Sequence, residues 1–337
     1  MNPSRFAVGI AYPPVGLAPC VGARPASFTR VRGLSAGHAE TEDGASGVTA
    51  ILFDEASPTV VDVRGGAPAT YDTDSLSLGS TFGRRWALFF SGGSLYGLDA
   101  ARGVRLRVLE LGGGHRAFRN PNPVAPISGA ALFDLPSQLG PIPDYLPLGY
   151  EAARRASRGE LAVGRVGAGA GATVGKYLGR EKAMHGGIGG ASARLGRGSI
   201  GCLVVVNAVG AVRDPRDGRW VAGARTKSGA VAPPRSNRPT AGSITGTTLG
   251  AVVTDLDVDR PSLARIVAMA HAGLASAISP YHSATDGDVL FGVSTGAAGR
   301  PPPESRPGGT ADRAGTLASG LAVEAVLSAV RTASREP

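Results

Sequence analysis

Gly246-Thr247-Thr248 stands at the head of an apolar run, TTLGAVVTD (247–255), directly behind Ser243-Ile-Thr. A threonine with a free α-amine unites nucleophile and base. The amine has an ordinary pKa of about 7.7–8.0, so a useful fraction is neutral near pH 7 and can take the hydroxyl proton. An internal Thr247 has no such amine, so this chemistry requires a cut before it. The hydroxyl attacks the Gly246 carbonyl, and water opens the resulting ester. Glycine leaves that carbonyl unshielded and admits a strained backbone. The polar Pro- and Gly-containing stretch at 225–243 supplies slack. A plain strand start is the other reading of the same residues.

Other residues have chemical potential. Asn207 lies inside LVVVNAVGAV, where an amide is costly to bury without partners. It reads either as a structural hydrogen-bonding group or as a donor aimed at a developing oxyanion. His282, Asp286 and Asp288 cluster in YHSATDGDVLF. They fit either an oxygen-ligand cation site or, more commonly, an Asp/Gly turn. His38, His115, His185 and His271 are dispersed, with no pairs at metal-ligand spacing. Gly167-Ala-Gly169-Ala-Gly171-Ala172 fits a loose dinucleotide pattern, but no acidic residue follows about twenty positions on. Gly92-Gly93-Ser94-Leu95-Tyr96 has tyrosine where a nucleophile elbow needs glycine. Neither a cofactor nor a metal is called for.

The elements that must position these residues follow from periodicity and length. Strands are expected at 48–53, 60–64, 86–90, 129–135, 161–169, 200–212, 247–258 and 288–296. Helices are expected at 95–111, 146–159, 259–279 and 313–330. Asp259 is the expected N-cap of the third, with Pro261 in its first turn. The segments 225–243 and 299–310 read as loops. Two sheets with helices on both outer faces, in one layered domain, accommodate this order.

The chain has 337 residues, of which 42% are hydrophobic and 18% charged, enough for a substantial core. Its 51 glycines suit close packing and tight turns. The net charge is +9, yet the arginines are scattered and no basic stripe alternates with aromatics, which argues against a nucleic-acid partner. Cys20 and Cys202 lie in dissimilar contexts, so no disulfide framework is expected. No apolar run reaches the length of a membrane span. Pro13, Pro14 and Pro19 spoil a faint lipoprotein-like Leu17-Ala-Pro-Cys20. The expectation is a cytoplasmic protein with an irregular leader.

Eight segments in one order resemble a known family. They are VRGLSAGH (31–38), VDVRGGAP (61–68), SGGSLYGLDA (91–100), GAALFDL (129–135), GRVGAGAGA (164–172), VVVNAVG (204–210), TTLGAVVTD (247–255) and DGDVLFGVSTG (286–296). The family is that of the self-cleaving amide hydrolases. It contains the L-aminopeptidase/D-Ala-esterase, the β-peptidyl aminopeptidases and the 6-aminohexanoate-oligomer (nylon) hydrolase. The likeness runs from about Val31 to Val330.

The resemblance implies an α-β-β-α layered fold cut into two chains that stay together, and an assembly of several such units. Residues 1–30 then form an irregular arm, 31–246 one chain and 247–337 the other, beginning at the nucleophile. In the nylon-hydrolase branch a threonine followed by a second threonine opens the new chain, as at Thr247-Thr248. That branch also implies functional positions at Lys176, Asn207, Asp286 and Asp288. Thr247 would be nucleophile and base, and Asn207 an oxyanion donor. Lys176 would supply positive charge. Asp286 and Asp288 would orient the amine or bind a substrate ammonium. Some members carry tyrosine where this chain has Phe133, and asparagine where it has Gly246. The implied substrates are small peptides, β-amino acyl amides or ω-amino acid oligomers. An L-aminopeptidase/D-esterase-type enzyme and a catalytically silent binding protein are the alternatives.

Overall fold

The computed structural model describes residues 24–25, 27–116, 122–135, 142–234, 245–301 and 309–335. Residues 1–23, Cys20 among them, and the lead-in 235–244 lie outside the described residues. The main strands are β1 (Leu34–Glu40), β2 (Gly47–Val63), β3 (Arg84–Ser91), β4 (Ile127–Ala131), β5 (Gly187–Leu195), β6 (Gly198–Asn207), β7 (Thr247–Leu256) and β8 (Val289–Gly299). The helices are α1 (Ala100–Glu110), α2 (Tyr145–Arg154), α3 (Arg260–Ala277) and α4 (Gly309–Ala333).

Period-two alternation makes these strands the middle of a layered structure. On β6, Ile200, Cys202, Val204 and Val206 pack with α3 and α4, whereas Leu203 and Val205 face the space between the sheets. On β3, Leu88 and Phe90 face that same space, and Ala87 and Phe89 pack with α1 and α2. The layers therefore run helices, sheet, sheet, helices.

One sheet has the order β5-β6-β7-β8-β2, and the other β1-β2-β3-β4. The 17-residue β2 belongs to both. Val48–Leu52 pair with β3, and Thr59–Val63 pair with β8. The ladder shifts register between Leu52 and Ser57, where Asp54 and Glu55 are exposed. The strands expected at 48–53 and 60–64 are thus one bent strand.

Other expectations need correction. Residues 161–169 form no strand: Gly164 makes an isolated bridge to Ile188 before a 3-10 turn at Gly167–Gly169. The helix expected to run to Gly159 ends at Arg154, because Ser157 pairs with Ala36 of β1. The helix expected at 95–111 begins as a 3-10 segment, Ser94–Asp99. The 200–212 segment divides into β6 and a separate strand, Ala211–Arg213. α4 has the length and apolarity of a membrane span, with mean hydropathy 1.2 over its most apolar window. It packs as a core helix, with Ala318, Leu321, Ala322, Ala325 and Val326 buried. Asp259 caps α3 as expected, accepting from the Ser262 amide at 2.8 Å.

Candidate active site

Strand register gathers the expected residues. Asn207, the last residue of β6, lies opposite Thr247, the first of β7. β7 runs parallel to β8 with Leu249 opposite Val289, so the turn preceding β8 sits beside the residues that begin β7. Gly246 forms a parallel bridge with Asp286, and the Thr248 amide donates to Asp288 Oδ1 at 2.6 Å. The Asp286-Gly287-Asp288 turn is held by the 64–67 loop. The Arg64 and Gly65 amides donate to the Asp288 carbonyl, and the Ala67 amide to that of Asp286. A Cβ at Gly65 would come within 2.2 Å of the Asp288 nitrogen, which explains a glycine there.

Thr247 Oγ1 donates to the Gly246 carbonyl oxygen, so the hydroxyl lies against the peptide it would attack. The Gly287 amide donates to the same oxygen at 3.0 Å. Gly246 is sterically required: a Cβ would stand 2.3 Å from the Val209 nitrogen and 2.4 Å from Asp286 Oδ1.

Lys176 reaches the cluster through a tight turn. The Gly175 and Lys176 amides donate to the Gly210 and Val209 carbonyls. Gly175 has φ +82°, and a Cβ there would meet Gly223 at 2.0 Å, so only glycine serves. Lys176 Nζ then donates to the Asn207 carbonyl at 2.6 Å and to Asn207 Oδ1 at 2.7 Å. The Thr173 amide donates to the same Oδ1 at 3.0 Å. Two donors on one atom mark it as the amide oxygen. Asn207 Nδ2 donates to the Phe133 carbonyl at 3.0 Å. In the uncut chain that donor is therefore engaged away from the Gly246 oxygen.

Thr247, Thr248, Lys176, Asn207, Asp286 and Asp288 are all buried. Burial drives the Lys176 pKa down to about 7, and Arg180 adds to the fall, while Asp286 and Asp134 oppose it. Burial likewise raises the pKa of Asp286, and repulsion from Asp288 adds to it. Asp286 Oδ2 accepts from Ser283 Oγ at 2.5 Å, and Oδ1 from the Val209 amide at 3.3 Å.

Sequence reasoning missed several participants. The Gly287 amide is one, and an internal glycine carries no side-chain signal for that contact. Asp134 accepts from the Gly93 amide at 2.7 Å and from Ser46 Oγ at 2.8 Å, and burial raises its pKa. The Arg180 guanidinium lies 4.9 Å from the centre of the Phe133 ring. Among the described residues, no group of three or more His, Cys, Asp or Glu is arranged to hold a metal. A cavity of about 230 Å³ lined by Asp257, Arg300 and Thr310 lies near the far end of β7 and shares no lining residue with this cluster.

The family model described as peptidase family S58 matches residues 26–336. An uncharacterized aminopeptidase of Mycobacterium tuberculosis is 36% identical over 299 residues, covering 82% of this chain and 83% of the relative. A 6-aminohexanoate-oligomer endohydrolase of Kocuria sp. is 30% identical over 314 residues, covering 89% and 84%. Among solved structures, an L-aminopeptidase D-Ala-esterase/amidase from Ochrobactrum anthropi superposes with a TM-score of 0.65 at 19% identity, covering 91% of this chain and 86% of that one. It is described as a variant of the Ntn-hydrolase fold. A Burkholderia sp. beta-aminopeptidase gives 0.62 at 18% identity, covering 91% and 87%. At these identities the likeness is one of fold.

Proposed function

We propose that this chain, which belongs to peptidase family S58 and is an amide-bond hydrolase of the Ntn type, cuts itself between Gly246 and Thr247. The new N-terminal threonine then hydrolyses small amides that carry a terminal amine. One observation carries the reading. The Gly246 carbonyl oxygen receives both the Thr247 hydroxyl and the Gly287 amide. A nucleophile at the carbonyl and a donor on its oxygen are what acyl transfer needs.

In the first step Thr247 Oγ1 bonds to the Gly246 carbon and loses its proton. The Gly287 amide holds the oxyanion. The bond from carbon to the Thr247 nitrogen breaks, and that nitrogen gains a proton. The resulting ester takes up water, which releases the Gly246 carboxylate and restores the hydroxyl. No free amine exists before the cut, so another base must act. Lys176, which bonds both oxygens of Asn207 opposite Thr247 and whose pKa burial brings down to about 7, is assigned that role. When neutral it still donates to both Asn207 oxygens and keeps its lone pair.

After the cut the Thr247 amine becomes the base for its own hydroxyl. A protonated Lys176 favours the neutral amine by like-charge repulsion. Asn207 positions Lys176. Its Nδ2 donor serves the substrate oxyanion by exchanging the Phe133 carbonyl for the acyl oxygen. Asp288 holds the start of β7 through the Thr248 amide. Asp286 flanks the position vacated by Gly246, and attracts a substrate ammonium by a charge-assisted contact. Unbranched β-amino or ω-amino acyl groups fit this reading best, because they extend the ammonium beyond the scissile carbonyl.

The test compares kcat/KM for β-alanyl, 6-aminohexanoyl and L-alanyl p-nitroanilides. The unbranched substrates are expected to lead, and Thr247→Ala is expected to abolish turnover of all three. A clear lead for L-alanyl amide assigns the enzyme to the aminopeptidase type. Full activity of Thr247→Ala overturns the mechanism.

A further inference from the structure

Asp288 is buried, and its two oxygens face different partners. Oδ1 accepts from the Thr248 amide. Oδ2 accepts from the His282 amide at 2.9 Å and lies 3.1 Å from His282 Nδ1. A carboxylate acceptor at that distance places the ring proton on Nδ1. The other nitrogen, Nε2, is buried and has no hydrogen-bond partner among the described residues.

His282 is held in a restricted geometry. Its φ is +61°, the left-handed region that a non-glycine residue occupies at a cost. Its ring lies 3.8 Å from that of Tyr281, tilted by 32°, and edge-on to His271 at 4.9 Å. His271 is anchored in turn. Its Nε2 lies 3.3 Å from the Asp62 carbonyl oxygen, and its Nδ1 lies 3.3 Å from the Tyr281 hydroxyl. This aromatic stack fixes the imidazole, the imidazole fixes the carboxylate, and the carboxylate fixes the amide next to Thr247.

We propose that His282 is a positioning residue, whose Nδ1–H orients Asp288 and through it the nucleophilic end of β7. The proposal rests on the reading of Thr247 as nucleophile.

Two variants separate the donor from the stack. His282→Asn keeps an N–H at similar reach and tolerates positive φ. His282→Phe keeps the ring and loses the donor. The expectation is a fall in kcat of about tenfold for His282→Phe with KM within twofold, and His282→Asn within threefold of wild type. His282→Phe at least as active as His282→Asn overturns the proposal, as do losses in both that track their melting temperatures. A second measurement needs no activity. The ¹⁵N spectrum of the His282 ring in the intact chain is expected to show protonated Nδ1 and bare Nε2, with the pattern lost in Asp288→Asn. A bare Nδ1 overturns the proposal. The expected spectrum in a chain that neither cuts nor hydrolyses leaves the His282–Asp288 contact standing and removes the proposed function instead.

Discussion

The Gly287 amide donates a 3.0 Å hydrogen bond to the carbonyl oxygen of Gly246, forty-one positions earlier, on which the Thr247 hydroxyl also rests. The contact exists because β7 and β8 run parallel in register, which sets Gly246 beside Asp286 and Thr248 beside Asp288. In the proposed self-cleavage, a donor already on this oxygen would cost no reorganisation as charge develops there.

Gly246→Ala is the sharpest steric test of this arrangement. Its Cβ would meet the Val209 nitrogen at 2.3 Å, against backbone that cannot swing away. The scissile carbonyl must shift from Gly287. We expect self-cleavage to slow by at least about tenfold, followed as a time course of fragment appearance on denaturing gels. An unchanged rate would show that the oxygen need not sit where Gly287 holds it.

Self-cleavage should depend on pH through Lys176. Burial brings its pKa down to about 7, so the base form accumulates as pH rises through that value. The cleavage rate should rise with it and level off above. Lys176→Arg cannot deprotonate in the useful range and should leave the chain uncut. The same shift has a stability consequence. The folded pKa lies below the unfolded one, so between about 7 and 10.5 the unfolded chain binds more protons. Stability of the uncut Thr247→Ala chain should therefore rise with pH across that window. Lys176→Met in the same background should flatten the rise, as read by urea unfolding at several pH values.

The proposed mechanism gives Asn207 two separable duties. Asn207→Ala removes both the side-chain acceptor of Lys176 and the Nδ2 donor, leaving only the backbone carbonyl to Lys176, and turnover should fall by about 10²–10³. Asn207→Asp keeps the acceptor but places a negative charge beside Lys176 Nζ. An opposite charge favours protonated lysine, so the pH at which cleavage accelerates should move upward. A profile unmoved by Asn207→Asp would detach Lys176 from the cutting step.

Substrate amine recognition is open to a simple chemical change. Acetylating the amine of the preferred p-nitroanilide substrate removes the charge that Asp286 would attract, and most of the kcat/KM should disappear. Activity equal to that of the free amine would make an endo-acting hydrolase the better description.

Much of the candidate site was legible in the sequence because it depends on local order. Thr247-Thr248 begins one strand and Asp286-Gly-Asp288 immediately precedes another, and the parallel pairing of those strands places them side by side. Lys176 and Asn207 came from family resemblance, and the structure joins them directly. What escaped was chemistry without a side-chain signature, such as the Gly287 amide. β5 escaped for a packing reason. Its GIGGASARL has little β-forming character, because α4 presses on its backbone: a Cβ at Gly189 would stand 2.1 Å from the Ala325 carbonyl oxygen. Conversely, 161–169 carries strand-like valines and leucine but ends in a glycine turn that steers the chain towards Thr173 and Lys176.

Intact-mass analysis of the purified chain, beside its Thr247→Ala variant, tests the mechanism most directly. Wild type should yield two co-purifying fragments, one ending at Gly246 and the other beginning with an unmodified Thr247, and the variant a single uncut chain. An active wild-type enzyme whose mass remains that of the full 337-residue chain would contradict it.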